Sequence, residues 1–214
     1  MFQTIRNAWK VDDLRKKILF SLFILLLYRI GAQIPVPFLT PDLTTAISAQ
    51  TAGSIFDYMN ILSGGAFAQA TLFALGVSPY ITASIVIQLL AVAIPALERL
   101  SKEGEEGRKK INAITRYVTI GLALVTSYGY MKLLNSYGYF THELNVFEQI
   151  VVVACYCAGA SLVMWLAEKI NEVGIGNGIS MILFANIISR GPDLVMSLWN
   201  MVVSDSYHLV VGIL

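Results

Sequence analysis

Long apolar runs alternate with short polar segments along the chain. A helix needs about 20 mostly apolar residues to cross roughly 30 Å of hydrocarbon. Runs of this kind occupy residues 18–36, 72–97, 114–134 and 147–166, and a shorter run occupies residues 178–189. As a helix, the short run would extend only about 18 Å, so its flanks must lengthen it or it must lie where the full bilayer width is not required. The pattern predicts an all-α, polytopic transmembrane bundle, with about five spans in residues 18–206 and the start of a sixth in residues 207–214, where we expect a truncated chain.

Prolines mark where two of these runs should end or bend. Pro35 and Pro37 close the first run. Pro79 lies near the start of the second run, where we expect a kink because proline removes a helical hydrogen bond. The first run is longer than the apolar part of a secretory signal, and no small-residue cleavage site follows it, so we expect it to remain as a span.

Composition narrows the class of protein. Hydrophobic residues make up 56% of the 214 residues and charged residues only 14%, with a mean hydropathy of +0.66. Soluble domains carry about 25% charged residues, so this chain lacks the polar residues to cover a water-facing surface of ordinary polarity. The net charge of +1 gives no general attraction for nucleic acid, and two cysteines cannot build a disulfide framework. The class that remains is a helical integral membrane protein.

The basic residues are distributed unevenly between the two sides of the predicted bundle. They cluster in residues 1–17 and in the segment 98–112, whereas residues 37–71 and 135–146 contain no Lys or Arg. Because basic loops stay on the cytoplasmic side, we expect a cytoplasmic N-terminal segment and a cytoplasmic loop at about 98–112. This loop either serves orientation alone or also contacts a partner, and the sequence favours neither. Its candidate contact residues are Lys102, Glu103, Arg108, Lys109 and Lys110.

A short apolar cluster interrupts the segment between the first two spans. It consists of Ile55, Phe56, Tyr58, Met59, Ile61 and Leu62, followed by Ser63, Gly64 and Gly65. About eight helical residues reach only about 12 Å, so this piece cannot cross a bilayer. Unpaired backbone at the glycines is tolerated at membrane depth only inside protein or beside water. The cluster is therefore either a helix that dips in and stops within the protein or an amphipathic helix that lies on the membrane surface, and both interpretations stay open.

Two further spans carry unusual polar features. Gln88 lies inside the second span, where we expect an amide to face the bundle interior or a wet path, or to make one interhelical hydrogen bond. The fifth run opens with the sequence VGIGNGIS, in which Asn177 or Ser180 is placed to cap the helix. A phosphate-binding glycine loop is excluded here, because no strand precedes these glycines and no lysine follows at the required spacing.

No catalytic or metal-binding constellation is recognisable. His142 and His208 lie far apart in sequence, and Cys155 and Cys157 would point to opposite faces of one helix. We therefore expect neither enzymatic activity nor a cofactor or metal. Arg29 lies toward the outer end of its span, where extension of the side chain to the interface explains it.

Three motifs, in order, resemble those of one family. The sequence SGGAFAQATLFALGVSPYITASIVIQLL is similar to the plug and second span of the SecY family. The sequence KEGEEGRKK followed by TRY resembles that family's second cytoplasmic loop, and MWLAEKINEVGIGNGISMILF resembles its junction of the fourth and fifth spans. The resemblance covers essentially the whole chain but only about the first half of the family's usual length.

The resemblance implies a protein-conducting channel that passes unfolded secretory polypeptides across the membrane and releases membrane spans sideways. In this family two five-span halves face each other around an hourglass pore. The resemblance places Val77, Ile81, Ile179 and Leu183 in an aliphatic pore ring, and the plug at about 55–67. It places the lateral gate at Ile85, Gln88 and Thr126. The valine and the leucine depart from a ring that is often isoleucine, and Arg190 stands where an apolar residue is expected.

The resemblance also implies partners and a location. The expected partners are the C-terminal half of the same protein, SecE-like and SecG-like small membrane subunits, the ATPase SecA or a ribosome, signal-sequence-bearing polypeptides and the lipid bilayer. The expected location is the plasma membrane of a bacterium, with a cytoplasmic N-terminus and several spans. Two alternatives remain at this point: half of a secondary transporter with broken helices, which would need polar groups at mid-depth, and a structural membrane subunit that transports nothing.

Overall fold

A computed structural model describes residues 11–40, 55–192, 195–196 and 199, with only the backbone described for 55–57. Seven helices are defined in this part of the chain, and two isolated bridges, Pro35 to Thr71 and Leu39 to Phe140, are its only β pairings. The helices are α1 (Asp12–Gly31), α2 (Ile55–Leu62), α3 (Ser78–Ala93), α4 (Pro95–Lys102), α5 (Glu105–Ser136), α6 (Val146–Val173) and α7 (Gly178–Ser189). The all-α fold class is confirmed. The predicted sixth span lies outside the described residues, as does most of the segment 37–54.

The second predicted span is shorter at both ends than its apolar run. Helix α3 begins at Ser78, so Pro79 lies in the first helical turn, where its missing N–H is not needed, and it produces no kink there. At the other end Ile94 is extended, with φ −107° and ψ 114°, because Pro95 disfavours a helical residue before it. Helices α3 and α4 therefore meet at an angle of 103°.

The segment 98–112, predicted as a loop, is almost entirely helical. Helix α4 ends at Lys102, and α5 begins at Glu105 after Gly104, whose φ of +74° turns the chain. In this way α5 reaches 32 residues and extends well beyond the apolar run that predicted it. Of the helices described, α6 alone is long and apolar enough to cross a membrane by that standard, and the bent pair of α3 and α4 also qualifies if counted as one span.

Helix α6 forms the centre of the bundle. It packs against α5, α7, α1 and α3, and it starts with a capping box in which Asn145 and Glu148 satisfy each other's backbone. Two glycines permit close approaches: a side chain at Gly159 would collide with the carbonyl of Leu72, and one at Gly178 would collide with the carbonyl of Ala167. The irregular segment before α3 and the start of α7 therefore both lie directly against α6.

The buried residues form two clusters. The first, here called the tyrosine cluster, contains Val36, Phe67, Ala68, Ala70, Ala74, Leu75, Tyr130, Met131, Leu134, Tyr139, Phe140, Val152 and Tyr156. The second, here called the aliphatic cluster, contains Ile24, Tyr28, Ala32, Ala66, Phe73, Val77, Val163, Leu166, Ala167, Ile170 and Ile182. The irregular segment 63–77 contributes residues to both clusters, so it connects the two parts of the core.

Candidate functional site

The four residues proposed for the pore ring belong to the aliphatic cluster or pack against it. Val77 is a member of the aliphatic cluster and only 3% exposed, and Ile81 packs against that cluster one turn into α3. Ile179 and Leu183 pack against the same cluster from α7, one turn apart. The three that are not members are partly exposed, so they line the edge of the cluster. Two separate helices thus present branched hydrocarbon side chains, which have no hydrogen-bonding atoms, at one place.

The short helix α2 stops beside this cluster. Its end is closed by turns: Ser63 N–H donates to Met59 O at 3.0 Å, and Gly65 N–H donates to Asn60 O at 2.9 Å. The side chain of Asn60, only 3% exposed, then accepts from the Ala68 N–H at 3.0 Å. Gly64 and Gly65 have φ values of +66° and +93°, which side chains disfavour. The break after α2 is therefore folded back inside the protein, as the dipping-helix interpretation requires.

Side chains from α1 and α7 reach the end of α2. Asn186, which has no exposed surface, donates its amide to the Tyr28 hydroxyl and to the Leu62 carbonyl, each at 2.9 Å. Arg29 lies 3.5 Å from the Gly64 carbonyl and donates to it. Of the residues proposed for the plug, Tyr58 is 63% exposed and Met59 packs partly against the tyrosine cluster. The side chains of Ile55 and Phe56 lie outside the described residues.

Two buried tyrosines hold the irregular segment farther along. The Tyr130 hydroxyl donates to the Phe67 carbonyl at 2.6 Å, and the Tyr156 hydroxyl donates to the Ala70 carbonyl at 3.1 Å. The two rings meet edge to face with centroids 5.1 Å apart. Since each buried carbonyl needs a donor, these hydroxyls let non-helical backbone lie inside the bundle.

The residues proposed for the lateral gate lie on the outside of the described chain. Ile85 is 51% exposed. Gln88 is exposed and donates to Ser84 Oγ at 3.2 Å within its own helix, so within the described residues its amide makes no interhelical hydrogen bond. Thr126 on α5 is also exposed and donates to the Leu122 carbonyl at 2.8 Å. The structure leaves these three side chains accessible.

Charged side chains gather at the end of the bundle where α4 meets α5. The proposed contact residues there are exposed, and three of the five form ion pairs: Lys102 with Glu98 at 2.6 Å, and Lys110 with Glu103 at 3.7 Å. At the end of α6, Lys169 donates to Glu172 at 2.6 Å, and this hydrogen bond and its charge lower the pKa of that carboxyl.

One further ion pair joins two long helices near the same end. Arg116 on α5 donates to Glu168 on α6 at 2.6 Å, and the Glu168 side chain is 15% exposed. No group of His, Cys, Asp or Glu suited to a metal occurs within the residues that the structure describes.

Sequence reasoning missed the polar partners of the α2 end. Gly178, Ile182 and Asn186 are the buried residues of α7 and follow one another at intervals of four, so an asparagine stands on a stripe that should be apolar. This polar residue on an otherwise apolar stripe was the feature of the sequence that could have identified Asn186. The capping prediction for α7 is confirmed for Asn177, whose side chain accepts from the N–H groups of Ile179 and Ser180 at 3.0 and 3.3 Å.

Comparisons with known proteins agree with this architecture. The SecY family model matches residues 71–214. Protein translocase subunit SecY of Bacillus subtilis is 43% identical over 200 residues, which cover 91% of this chain and 45% of the relative. A solved structure of a protein-conducting channel shares the fold with a TM-score of 0.60 and 24% identity, over 82% of this chain and 36% of the other.

A second solved structure extends the comparison. Sec61 in the canine ribosome-channel complex from the endoplasmic reticulum has a TM-score of 0.56 and 23% identity, again over 82% of this chain and 36% of the other. The chain spans about half the length of the curated relatives it matches. Because the family model matches more than half of the chain, this chain belongs to the SecY family.

Proposed function

We propose that this chain supplies one half of a protein-conducting channel in a bacterial membrane. The observation that carries the proposal is that Val77, Ile81, Ile179 and Leu183 belong to one aliphatic cluster or pack against it, while the end of α2 is tied to α7. In this proposal residues 18–206 form the N-terminal half, the segment 55–67 is the plug, and a facing C-terminal half completes the pore.

The chemistry of the four side chains suits a passage for chains of any sequence. A narrow aliphatic constriction loses its water, so ions do not pass when no polypeptide fills it. Hydrocarbon surfaces offer no fixed hydrogen bonds, so a sliding polypeptide meets no position that binds it tightly. A transporter for small solutes would instead need charged or carbonyl groups that recognise its substrate.

The proposed orientation in the membrane and the proposed docking surface both rest on the distribution of basic residues. The positive-inside rule places residues 1–17 and the end of the bundle that carries Lys102, Arg108 and Lys109 in the cytoplasm. The exposed basic side chains there are our candidate contact for a ribosome or for the ATPase SecA, and the likeness to Sec61 in a ribosome complex supports such docking. The partner supplies the energy, since we propose that this subunit has no enzymatic activity.

Small membrane subunits and the lateral gate complete the proposal. Ile85, Gln88 and Thr126 are accessible on the described chain, which leaves them available to face the C-terminal half and an exiting membrane span. SecE-like and SecG-like subunits are proposed as further partners, and signal-sequence-bearing polypeptides are the proposed cargo.

Site-specific crosslinking tests the channel function. Single cysteines are introduced at Ile81 and Ile179 in the full-length protein after Cys155 and Cys157 have been changed to serine, and a secretory polypeptide is stalled during translocation. We expect both sites to crosslink to the stalled polypeptide. Ile182→Cys is the matched control, because it lies three residues from Ile179 on the same helix but is fully buried, and we expect no crosslink there.

Two outcomes contradict the proposal. If the stalled polypeptide reaches neither Ile81→Cys nor Ile179→Cys while translocation proceeds, the ring is not the passage. If it reaches Ile182→Cys as readily as the other two, the aliphatic cluster does not have the arrangement on which the proposal rests.

A further inference from the structure

Within the described residues, one main-chain acceptor at the end of α2 has no partner in the helix or in the turn that follows it. The last carbonyls of any helix have no N–H four residues later to bind them. In α2 the carbonyls of Met59, Asn60 and Ile61 are satisfied by N–H groups of the following turn. The Leu62 carbonyl is instead satisfied by the Asn186 amide, at 2.9 Å, from a helix that begins more than one hundred residues later.

The geometry fixes the orientation of the Asn186 amide. A carbonyl oxygen only accepts hydrogen bonds, so the atom of Asn186 that faces Leu62 must be its nitrogen. The same nitrogen donates to Tyr28, whose ring is fully buried and stacks on Phe73 at 5.4 Å. The Oδ1 atom of Asn186 has no hydrogen-bonding partner in the described part of the chain. Asn186 therefore donates hydrogen bonds to both α2 and α1, while its own Oδ1 has no partner among the described residues.

A second contact acts on the next turn. Arg29, adjacent to Tyr28 on α1, donates to the Gly64 carbonyl at 3.5 Å. A Cβ atom at Gly64 would lie 3.0 Å from both the Arg29 guanidinium and Asn186 Oδ1, so this position accepts no side chain without displacing one of them. The negative end of the α2 dipole faces the arginine, which favours the same docked position.

We propose that Tyr28, Asn186 and Arg29 form a polar latch that sets how readily α2 leaves its position against α7. This inference rests on the proposed function, in which α2 belongs to the plug. When α2 moves away, water satisfies the Leu62 and Gly64 carbonyls, so opening costs the latch bonds but buries no unpaired group. Asn186 lies about one turn beyond Leu183 on α7, so the latch adjoins the proposed ring without adding a polar side chain to it.

Hydrogen exchange in the full-length protein tests the latch. Asn186→Leu keeps side-chain size but removes the donor to Leu62, and a buried carbonyl without a donor favours the undocked position. We expect the amides of residues 63–68 to exchange about tenfold faster, with a smaller increase in Tyr28→Phe, which loses one hydroxyl and keeps its ring stack. Tyr156→Phe is the matched control, since its hydroxyl binds the Ala70 carbonyl instead, and we expect residues 63–65 to exchange there as in the parent protein.

The outcomes separate the latch from the proposed function. Unchanged exchange at residues 63–68 in both Asn186→Leu and Tyr28→Phe would overturn the latch, as would an equal increase across all helices, which indicates general destabilisation. Ion conductance across a planar bilayer is the second measurement, and we expect a leak in Asn186→Leu. Faster local exchange with no leak would support the latch and count against the channel function.

Discussion

The two buried clusters hold the same irregular segment through different polar groups. In the tyrosine cluster, the hydroxyls of Tyr130 and Tyr156 bind backbone carbonyls inside the bundle, and both rings pack among buried neighbours. On the aliphatic side, the partly exposed ring residues carry only hydrocarbon, and the end of α2 is held through Asn186, which is itself fully buried. The two attachments therefore differ in position rather than in depth: two tyrosine hydroxyls hold the middle of the irregular segment, whereas one amide holds a helix end, whose last carbonyls need partners from outside the helix.

The largest expected effect comes from the close approach of α6 to the irregular segment 63–77. Gly159→Ala would place a methyl group against the Leu72 carbonyl, so α6 and the irregular segment must separate. We expect a loss of about 2 kcal/mol or more, measured as a lower thermal unfolding midpoint of the full-length protein in detergent. Gly129→Ala is the control, because nothing lies within 4 Å of its added Cβ, and alanine there should be neutral or stabilising. Equal losses in the two variants would show that the close approach is unimportant.

A smaller effect is expected at a single hydroxyl of the tyrosine cluster. Tyr130→Phe keeps the ring but removes the donor to the Phe67 carbonyl. The expected loss is about 1–2 kcal/mol in the same unfolding measurement, with faster exchange at residues 67–70. Tyr128→Phe, two residues away and 53% exposed, should change neither quantity. If both substitutions leave stability unchanged, the hydroxyl is not needed to hold this backbone.

The smallest effect should lie outside both clusters and give a baseline for the comparison. Arg116→Gln breaks the ion pair to Glu168, in which the arginine side chain is 48% exposed. We expect less than about 1 kcal/mol, reduced further by added salt, because solvent screens this pair. Lys102→Gln, at a side chain 74% exposed, should have almost no effect on the unfolding midpoint. A loss at Arg116→Gln as large as that of Gly159→Ala would contradict the ranking.

Periodicity and hydropathy predicted the helices well where one physical effect dominates. The bounds of α7 match its apolar run, because Asn177 caps one end and the run itself ends at the other. The sequence also predicted a short helix stopped by Gly64 and Gly65, since glycine readily adopts the left-handed conformation seen there.

Predictions failed where a local backbone clash or a partner distant in sequence determined the structure. The apolar run of the second span continues past Ile94, but the clash with Pro95 ends the helix, and composition does not register that clash. The partner of the Leu62 carbonyl is Asn186, far away in sequence, so only the assembled bundle reveals it. Only the family resemblance predicted that Val77 and Ile179 share one site, since nothing in their spacing relates one to the other.

The bend at Ile94 fixes where α3 ends and therefore fixes the length of the helix. Because Pro95 fixes the place where the helix must stop, Ile81 lies a set number of turns from the bend, at a distance of about 20 Å along the axis. Inserting or deleting one residue between them would raise or lower Ile81 by about 1.5 Å and rotate it by about 100°. In the proposed channel, the length of this single helix therefore sets the height of the constriction.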